Sequence, residues 1–426
     1  MATITKLSEA RNLKNIQNQT ITINADIDLG TETITLGSGC RLEFSENGRF
    51  RNGTLIGTVT NEYLDITDFG ASTTSNSGNN AALTNAMNLC DNVFIPEGTF
   101  QVTGSVNITR SGIRLFGNGY HLSVIQSIYY NTSDTKTVDR ERDKRLFNLV
   151  TVNSGIENIS IENLALQSKG SKKKANYLIK VHEGTKNVHV KGCLLDNATG
   201  GVIVYPECEW INIIGCRFRN MVFLPGGSGG EQNEDKTRTL EGGAGGYGVV
   251  FQQNKEKPGI KHGVISSCVF ESTVIRHAVY IQKSSDVLIS DNVIYGTTAM
   301  NDNVGGENLV NILNTKGLTN DQLGNMEVNK HMTHFDYAFE YKGSHNVRIT
   351  NNYLKGGIGF LNGMADANNI GGTMFLIKDN TAVEFDNNLG KADCPNGVKG
   401  DRNWICDIAI EGGAIIINSD NLSDQQ

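Results

Sequence analysis

Arg276, Tyr280 and Gln282 stand in the stretch STVIRHAVYIQKSS, and Asp336, Glu340 and Lys342 stand sixty residues later in FDYAFEYKGS. Together they are the side chains that carbohydrate chemistry uses. A tyrosine offers an apolar face and a hydroxyl, while guanidinium, ammonium and carboxylate groups bond sugar hydroxyls or a uronate. Hydrolysis of a glycosidic bond needs two carboxylates, ~5–5.5 Å apart for retention or ~6.5–9.5 Å for inversion. Asp336 and Glu340 on one strand would be about 13 Å apart at a rise of ~3.3 Å per residue, which is too far. A partner for Glu340 is therefore expected from elsewhere: Asp302, Glu307, Glu241 or Asp235. Elimination at a uronate would instead use Arg276 or Lys342 to neutralise the carboxylate, with Tyr280 or His277 moving the proton. Against this stands a plainer reading, in which Arg276 and Asp336 form an exposed ion pair worth ~0–1 kcal/mol and Glu340 solvates an open face. His277 has inward parity unless a turn rotates it, which would make it a core histidine.

The register that groups these residues comes from strand-like alternation around them. Val279 and Ile281, then Val287 and Ile289, alternate at period two, the mark of half-buried strands. From Val287 the chain fits an eight-residue template: apolar, any, apolar, any, any, Asn or Cys, any, apolar. The template begins again at Ile113, Ile159, Val188, Ile211, Gly263, Val347 and Val383. Its sixth position reads Asn118, Leu164, Cys193, Cys216, Cys268, Asn292, Asn352 and Asn388. Where spacing is tight, one repeat takes 23 or 24 residues, a solenoid period. Val287 matches Val347, so the same offset pairs Arg276 with Asp336, Tyr280 with Glu340 and Gln282 with Lys342. Partners in successive coils should lie about 4.8 Å apart. Asn at matched corners can form a hydrogen-bonded ladder, and Cys193, Cys216 and Cys268 read as reduced core thiols. Cys208, Cys394 and Cys406 lack metal-like spacing.

A single coil could not stand alone. About five inward apolar side chains give roughly 1.5–3 kcal/mol each, against ~1–2 kcal/mol of backbone entropy for each of some twenty residues. Stacking supplies the remainder, so the expectation is one continuous cylinder, all-β, with an N-terminal cap or irregular first coils at 1–66 and a β-helix over 67–426. Inserts at 127–145, 221–246, 297–335 and 355–372 all follow the same template strand, which would crowd them along one edge. Loops of that length are uncommon without a role. The second insert, within PGGSGGEQNEDKTRTLEGGAGGYG, is acidic and Gly-rich, as a lid would be, and matches no phosphate-binding loop.

Two segments resemble a known family. DFGA at 68–71, a Gly-containing loop, the helical NNAALTNAMNLC, and then VFIPEGTF resemble the entry segment of the pectate-lyase superfamily of right-handed parallel β-helices. That superfamily includes phage tail-spike depolymerases and many polysaccharide lyases and hydrolases. TITLGSGCRLEFSENGRFRNGTLIG is similar to the leading segments of its tail-associated members. One departure is that Asn79 and Asn80 stand where the family often has two structural aspartates. The resemblance implies a right-handed parallel β-helix that binds and cleaves a polysaccharide, hydrolase ahead of lyase. A non-catalytic glycan-binding tail or adhesion module is the alternative. It also implies an extracellular or virion-surface setting and a homotrimer.

Other classes are poorly supported. The net charge of −7 is thinly spread with no long basic run, which argues against a nucleic-acid partner. No apolar run approaches the ~20 residues of a membrane span, and MATITKLSEARNLKN lacks an apolar signal region. His331 and His334 have no matching acidic ligand set, so zinc is not expected, and no cofactor is implied. Carboxylates on such a scaffold can bind Ca2+ through oxygen ligands.

Overall fold

The computed structural model describes residues 1–75, 78–128, 148–169, 177–198, 200–221, 247–252, 257–271, 277–282, 284–295, 337–342, 345–355, 359–363, 374–378, 381–383, 403–405 and 415–418. From Tyr337 onward it describes backbone only, Asn351 and Asn352 excepted. The chain is an all-β parallel solenoid. Three long sheets run its length: an eleven-stranded first sheet, a nine-stranded second sheet and a nine-stranded third sheet. One coil visits them in turn, as in Glu157–Glu162, Ala165–Ser168 and Tyr177–Val181, before Lys186–Lys191 resumes the first sheet. Each strand pairs in parallel with its counterpart one coil on, for example Ile159 with Val188 and Val188 with Ile211. Among the described residues only the last pairings of the first and third sheets, to Ile415–Asn418 and Asn403–Ile405, are antiparallel.

Alternation sends one column of each sheet into a continuous apolar core. Ile159, Val188, Ile211 and Val287 form one such column, with Gly263 between the last two. Glycine stands there because Phe251 from the third sheet fills the space: a Cβ on Gly263 would lie 2.6 Å from its ring. Phe218 and Phe270 stack at 4.6 Å in the second sheet's inward column, and their rings press against Gly201 and Gly248.

The expected corner column is present, and its hydrogen bonds follow one rule. From Cys193 to Asn352, each sixth-position side chain donates to the carbonyl at the third template position of the preceding coil. Cys193 Sγ reaches Ile161 O at 3.4 Å, Cys216 Sγ reaches Val190 O at 3.5 Å, and Cys268 Sγ reaches Ile213 O at 3.6 Å. Asn292 Nδ2 reaches Ile265 O at 3.0 Å, and Asn352 Nδ2 reaches Ile289 O at 3.1 Å. The asparagines do more than the thiols. Asn292 Oδ1 also accepts from Cys268 N at 2.9 Å, and Asn352 Oδ1 accepts from Asn292 N at 3.1 Å. The three cysteines are free and buried. Asn118 does not belong to this column: it is exposed, because its corner is closed by the Ser123 hydroxyl, which donates to Ile95 O at 2.8 Å. Asn388 lies outside the described residues.

Residues 1–66 build narrower coils of the same kind. Ala2–Ile4, Thr20–Ile23 and Arg41–Phe44 form one short parallel sheet, and two strand pairs form the other sides. The N-terminal segment holds one helical turn at Leu7–Ala10 followed by a 3-10 turn at Leu13–Asn15. The second helix, Asn80–Leu89, buries Leu83, Ala86, Met87 and Leu89 against the end of the core. Asn79 and Asn80 are structural. Asn79 accepts from Ser72 N and donates to Gln101 O, while Asn80 accepts from Thr103 N and donates to Gly104 O. An aspartate could only accept at those atoms.

Three of the four long stretches singled out from the sequence join the second sheet to the third. They follow Ser123–Ser127, Arg217–Met221 and Val293–Tyr295 and precede Val150–Val152, Tyr247–Phe251 and Tyr337–Lys342. The fourth, 355–372, is not one excursion. It contains Gly359–Gly363, a strand of the third sheet that pairs with Tyr337–Lys342, so its longer part connects the third sheet to the first. Among the described residues no helix is long and apolar enough to cross a membrane.

Candidate functional site

The outward face of the third sheet is the feature that a solvated solenoid side does not explain. Its strands follow the long connections, so it begins where they end. In successive coils Lys180, Ile203, Val250, Tyr280 and Glu340 lie side by side in register. At ~4.8 Å per coil, this column spans about 19 Å. Ile203 and Val250 are buried although they point away from the core, and they form a separate apolar cluster with Tyr177 and Tyr247. Tyr205 and Tyr280 pack against that cluster and remain half-buried. The Tyr247 and Tyr280 rings stack at 5.7 Å and 14°.

Tyr177 and Tyr247 reach this face because the strands bend at their start. Simple alternation would put Tyr177 on the same side as Ile179. Instead Leu178, Ala278 and Ile179 join the core, while Tyr177 turns outward over Gly200 of the next coil. A Cβ on Gly200 would sit 2.2 Å from the Tyr177 ring. His277 pairs in register with Tyr337 of the next coil.

The N-terminal end of the face carries charge. Lys180 Nζ sits 4.6 Å above the Tyr205 ring, and the His182 ring stacks on the same tyrosine at 5.9 Å. Lys257 Nζ bridges Glu183 Oε2 at 2.5 Å and Glu207 Oε2 at 2.9 Å. Burial holds the Lys180 ammonium below its ordinary pKa. His182 is lowered by burial and by Lys180, with Glu183 working the other way. Tyr205 is raised, mainly by burial and further by Glu183. Lys257 is raised by its bonds to Glu183 and Glu207. Perturbed titratable groups gathered on one face are a physical pointer to a site.

No family model matches the chain, and no curated protein matches it. Among solved structures, it is similar to two of bacteriophage phi29 gene product 12. The pre-mature form matches at TM-score 0.27 and 10% identity over 79% of this chain, and the N-terminal fragment at TM-score 0.27 and 11% identity over 81%. The matched region spans 53% of the first of those chains and 73% of the second.

Of the residues named from the sequence, Tyr280 lies in the middle of this face, opposite Glu340, with Gln282 opposite Lys342. These pairings are those of the sixty-residue offset. The side chains of His277, Gln282, Glu340 and Lys342 lie outside the described residues, as do Arg276, Asp336, Asp302, Glu307, Glu241 and Asp235 altogether. Lys180, His182, Tyr177, Tyr205 and Tyr247 were not found by sequence reasoning. The signal was available: stepping the register back from Tyr280 through Val250 and Ile203 leads to Lys180. Among the described residues no group of three or more His, Cys, Asp or Glu side chains could hold a metal ion.

Proposed function

We propose that this solenoid binds a polysaccharide along the outward face of its third sheet and hydrolyses it there. The observation that carries the reading is the aromatic strip itself. Half-buried Tyr205 and Tyr280 pack against a buried outward cluster of Tyr177, Ile203, Tyr247 and Val250 on a side of the coil that a plain solenoid would leave polar. Rings of this kind pack against the apolar faces of pyranoses, and their hydroxyls bond the sugar edges. The column runs along the solenoid axis, so a linear polymer would lie lengthwise across several coils.

In this reading Glu340, next to Tyr280 in register, is one of the two carboxylates that hydrolysis requires. The other comes from a connection between the second and third sheets, where Asp235, Glu241, Asp302 and Glu307 lie in the sequence. The setting is a surface where glycan is met, extracellular or on a virion.

The test is a panel of capsular and plant polysaccharides, scored for binding and for new reducing ends. Tyr280→Ala should weaken binding by roughly tenfold, the scale of one aromatic contact together with its buried area. Glu340→Gln should abolish cleavage with binding retained. Binding without cleavage by the unmodified chain would make it a glycan-binding module, and a rise in absorbance from an unsaturated uronide would make it a lyase.

A further inference from the structure

We propose that Trp210, on the first sheet, is the platform of a second carbohydrate site, which takes a neutral pyranose unit on the open face of its indole. This site lies on a different sheet from the tyrosine strip and does not depend on that strip being a groove.

Backbone conformation singles this residue out. The second residue of each first-sheet strand from Glu157–Glu162 to Ser285–Ser290 has a positive φ: Asn158 at 62°, Asn187 at 53°, Trp210 at 60°, His262 at 57° and Asp286 at 58°. Asn, Asp and His are the types that enter this left-handed region most readily, whereas a bulky indole is strained there. Folding recovers nothing evident in return. The Trp210 side chain is 53% exposed and belongs to neither apolar cluster. Strain kept at an exposed ring points to a use for that ring.

The neighbours decide what can land there. Glu209 pairs with Lys186 one coil back and with Lys261 one coil on, so these second-position side chains form a ladder along the axis. The His262 ring covers one face of the indole, stacked at 4.2 Å and 21°. On the other side the ladder continues as the short amides of Asn187 and Asn158, bonded to each other at 2.7 Å. A carboxamide cannot cover an indole, so that face overhangs a step. The step offers a flat apolar wall for the C–H face of a sugar ring. Hydroxyl partners stand at its foot, where Asn187 is held by Asn158 and by His189 at 2.8 Å and both amides keep spare capacity. The indole N–H is a further donor without a partner among the described residues. A plain aromatic ligand would stack as well but would leave the amides unserved. Charge is balanced around the step: Lys186 sits 3.6 Å from Glu209, and Lys261 offsets Asp286, which lies 3.9 Å from His262. Nothing local therefore favours an ionic ligand, and the class is a neutral sugar.

The experiment titrates the full chain with cellohexaose, laminarihexaose and mannohexaose, and with an oligogalacturonate as the acidic comparison, following tryptophan fluorescence and heat. At least one neutral oligosaccharide should move the emission to shorter wavelength and saturate. Trp210→Asn, which places the Asn187 residue type one coil on, should remove that shift and weaken the calorimetric affinity about tenfold, the scale of one stacked aromatic contact. Because it relieves the strained φ, the same variant should unfold at an equal or higher urea midpoint. A shift that survives Trp210→Asn, a preference for the galacturonate, or no response to any neutral sugar would overturn the site. A lower urea midpoint would also overturn it, since the indole would then be a packing residue. So would emission that changes with protein concentration alone, the mark of a second copy on this face. Tyr280→Ala, scored by new reducing ends, tests the tyrosine strip separately, so either reading can fall without the other.

Discussion

Replacing Asn292 by alanine strands one backbone N–H of the preceding coil and removes one of the hydrogen bonds to a carbonyl of that coil. Asn292 is 1% exposed. Its Oδ1 accepts from Cys268 N at 2.9 Å, and its Nδ2 donates to Ile265 O at 3.0 Å and to Asn352 Oδ1 at 2.9 Å. After truncation Asn352 Oδ1 keeps its bond from Asn292 N, and Ile265 C=O keeps its place in the parallel ladder, but Cys268 N–H loses its partner in a dry corner. The stranded N–H costs ~1–3 kcal/mol and the lost second bond to Ile265 O about 1 kcal/mol, so Asn292→Ala should destabilise by about 2–4 kcal/mol. Asn292→Cys should cost about 1 kcal/mol less. A thiol there can still donate to Ile265 O, as Cys268 does to Ile213 O, and only the N–H is stranded. The assay is urea unfolding followed by circular dichroism, with the midpoint shift read at unchanged slope. An alanine variant within ~0.5 kcal/mol of the parent would refute this account of the corner, since surface substitutions without structural role fall in that range. A cysteine variant less stable than the alanine one would refute it equally.

Two further outcomes follow from single contacts. Gly263→Ala places a Cβ 2.6 Å from the Phe251 ring and should cost about 1–3 kcal/mol, the scale of overpacking. Phe251→Leu in the same chain should recover part of that loss, and strictly additive effects in the double-mutant cycle would contradict the contact. Asp68 is pushed up to about 7, chiefly by burial and then by Asp65, with a backbone hydrogen bond opposing. The folded chain therefore holds this proton more tightly than the unfolded chain, whose carboxyl titrates near 3.8. Its contribution to stability is complete below pH ~4 and is lost as pH rises to about 7. Asp68→Asn should accordingly gain stability relative to the parent across that window in denaturant titrations, and parallel pH profiles would exclude the effect.

The sequence carried the coil more fully than the site, for a physical reason. Period-two alternation and the Asn or Cys corner are enforced by a core that cannot tolerate a register slip, so Val287, Ile289 and Asn292 announce themselves. The offset from Val287 to Val347 then transfers to Tyr280 and Glu340 because parallel coils keep one register. Asn118 misled because the first full coil closes its corner with a serine hydroxyl, which leaves the asparagine to solvent. Tyr177 and Tyr247 were hidden by the bend at the start of the third-sheet strands, where alternation breaks. Ile203 and Val250 were hidden for the opposite reason. An apolar residue in a strand reads as core, and nothing in one coil reveals that its side chain points outward until the coils are laid side by side.

The corner column also gives the cylinder a direction. Cys268 and Ile265 are completed by Asn292, which is contributed by the following turn, and Asn292 and Ile289 by Asn352 from the turn after that. Cutting the stack between turns is therefore unequal on its two sides. Both fragments lose their sheet ladders, but at this corner the downstream one keeps an amide or thiol that water can serve, whereas the upstream one also loses the side chain that capped a buried backbone N–H. Every winding leans on its successor, so such a tube is closed off by whatever is wound last.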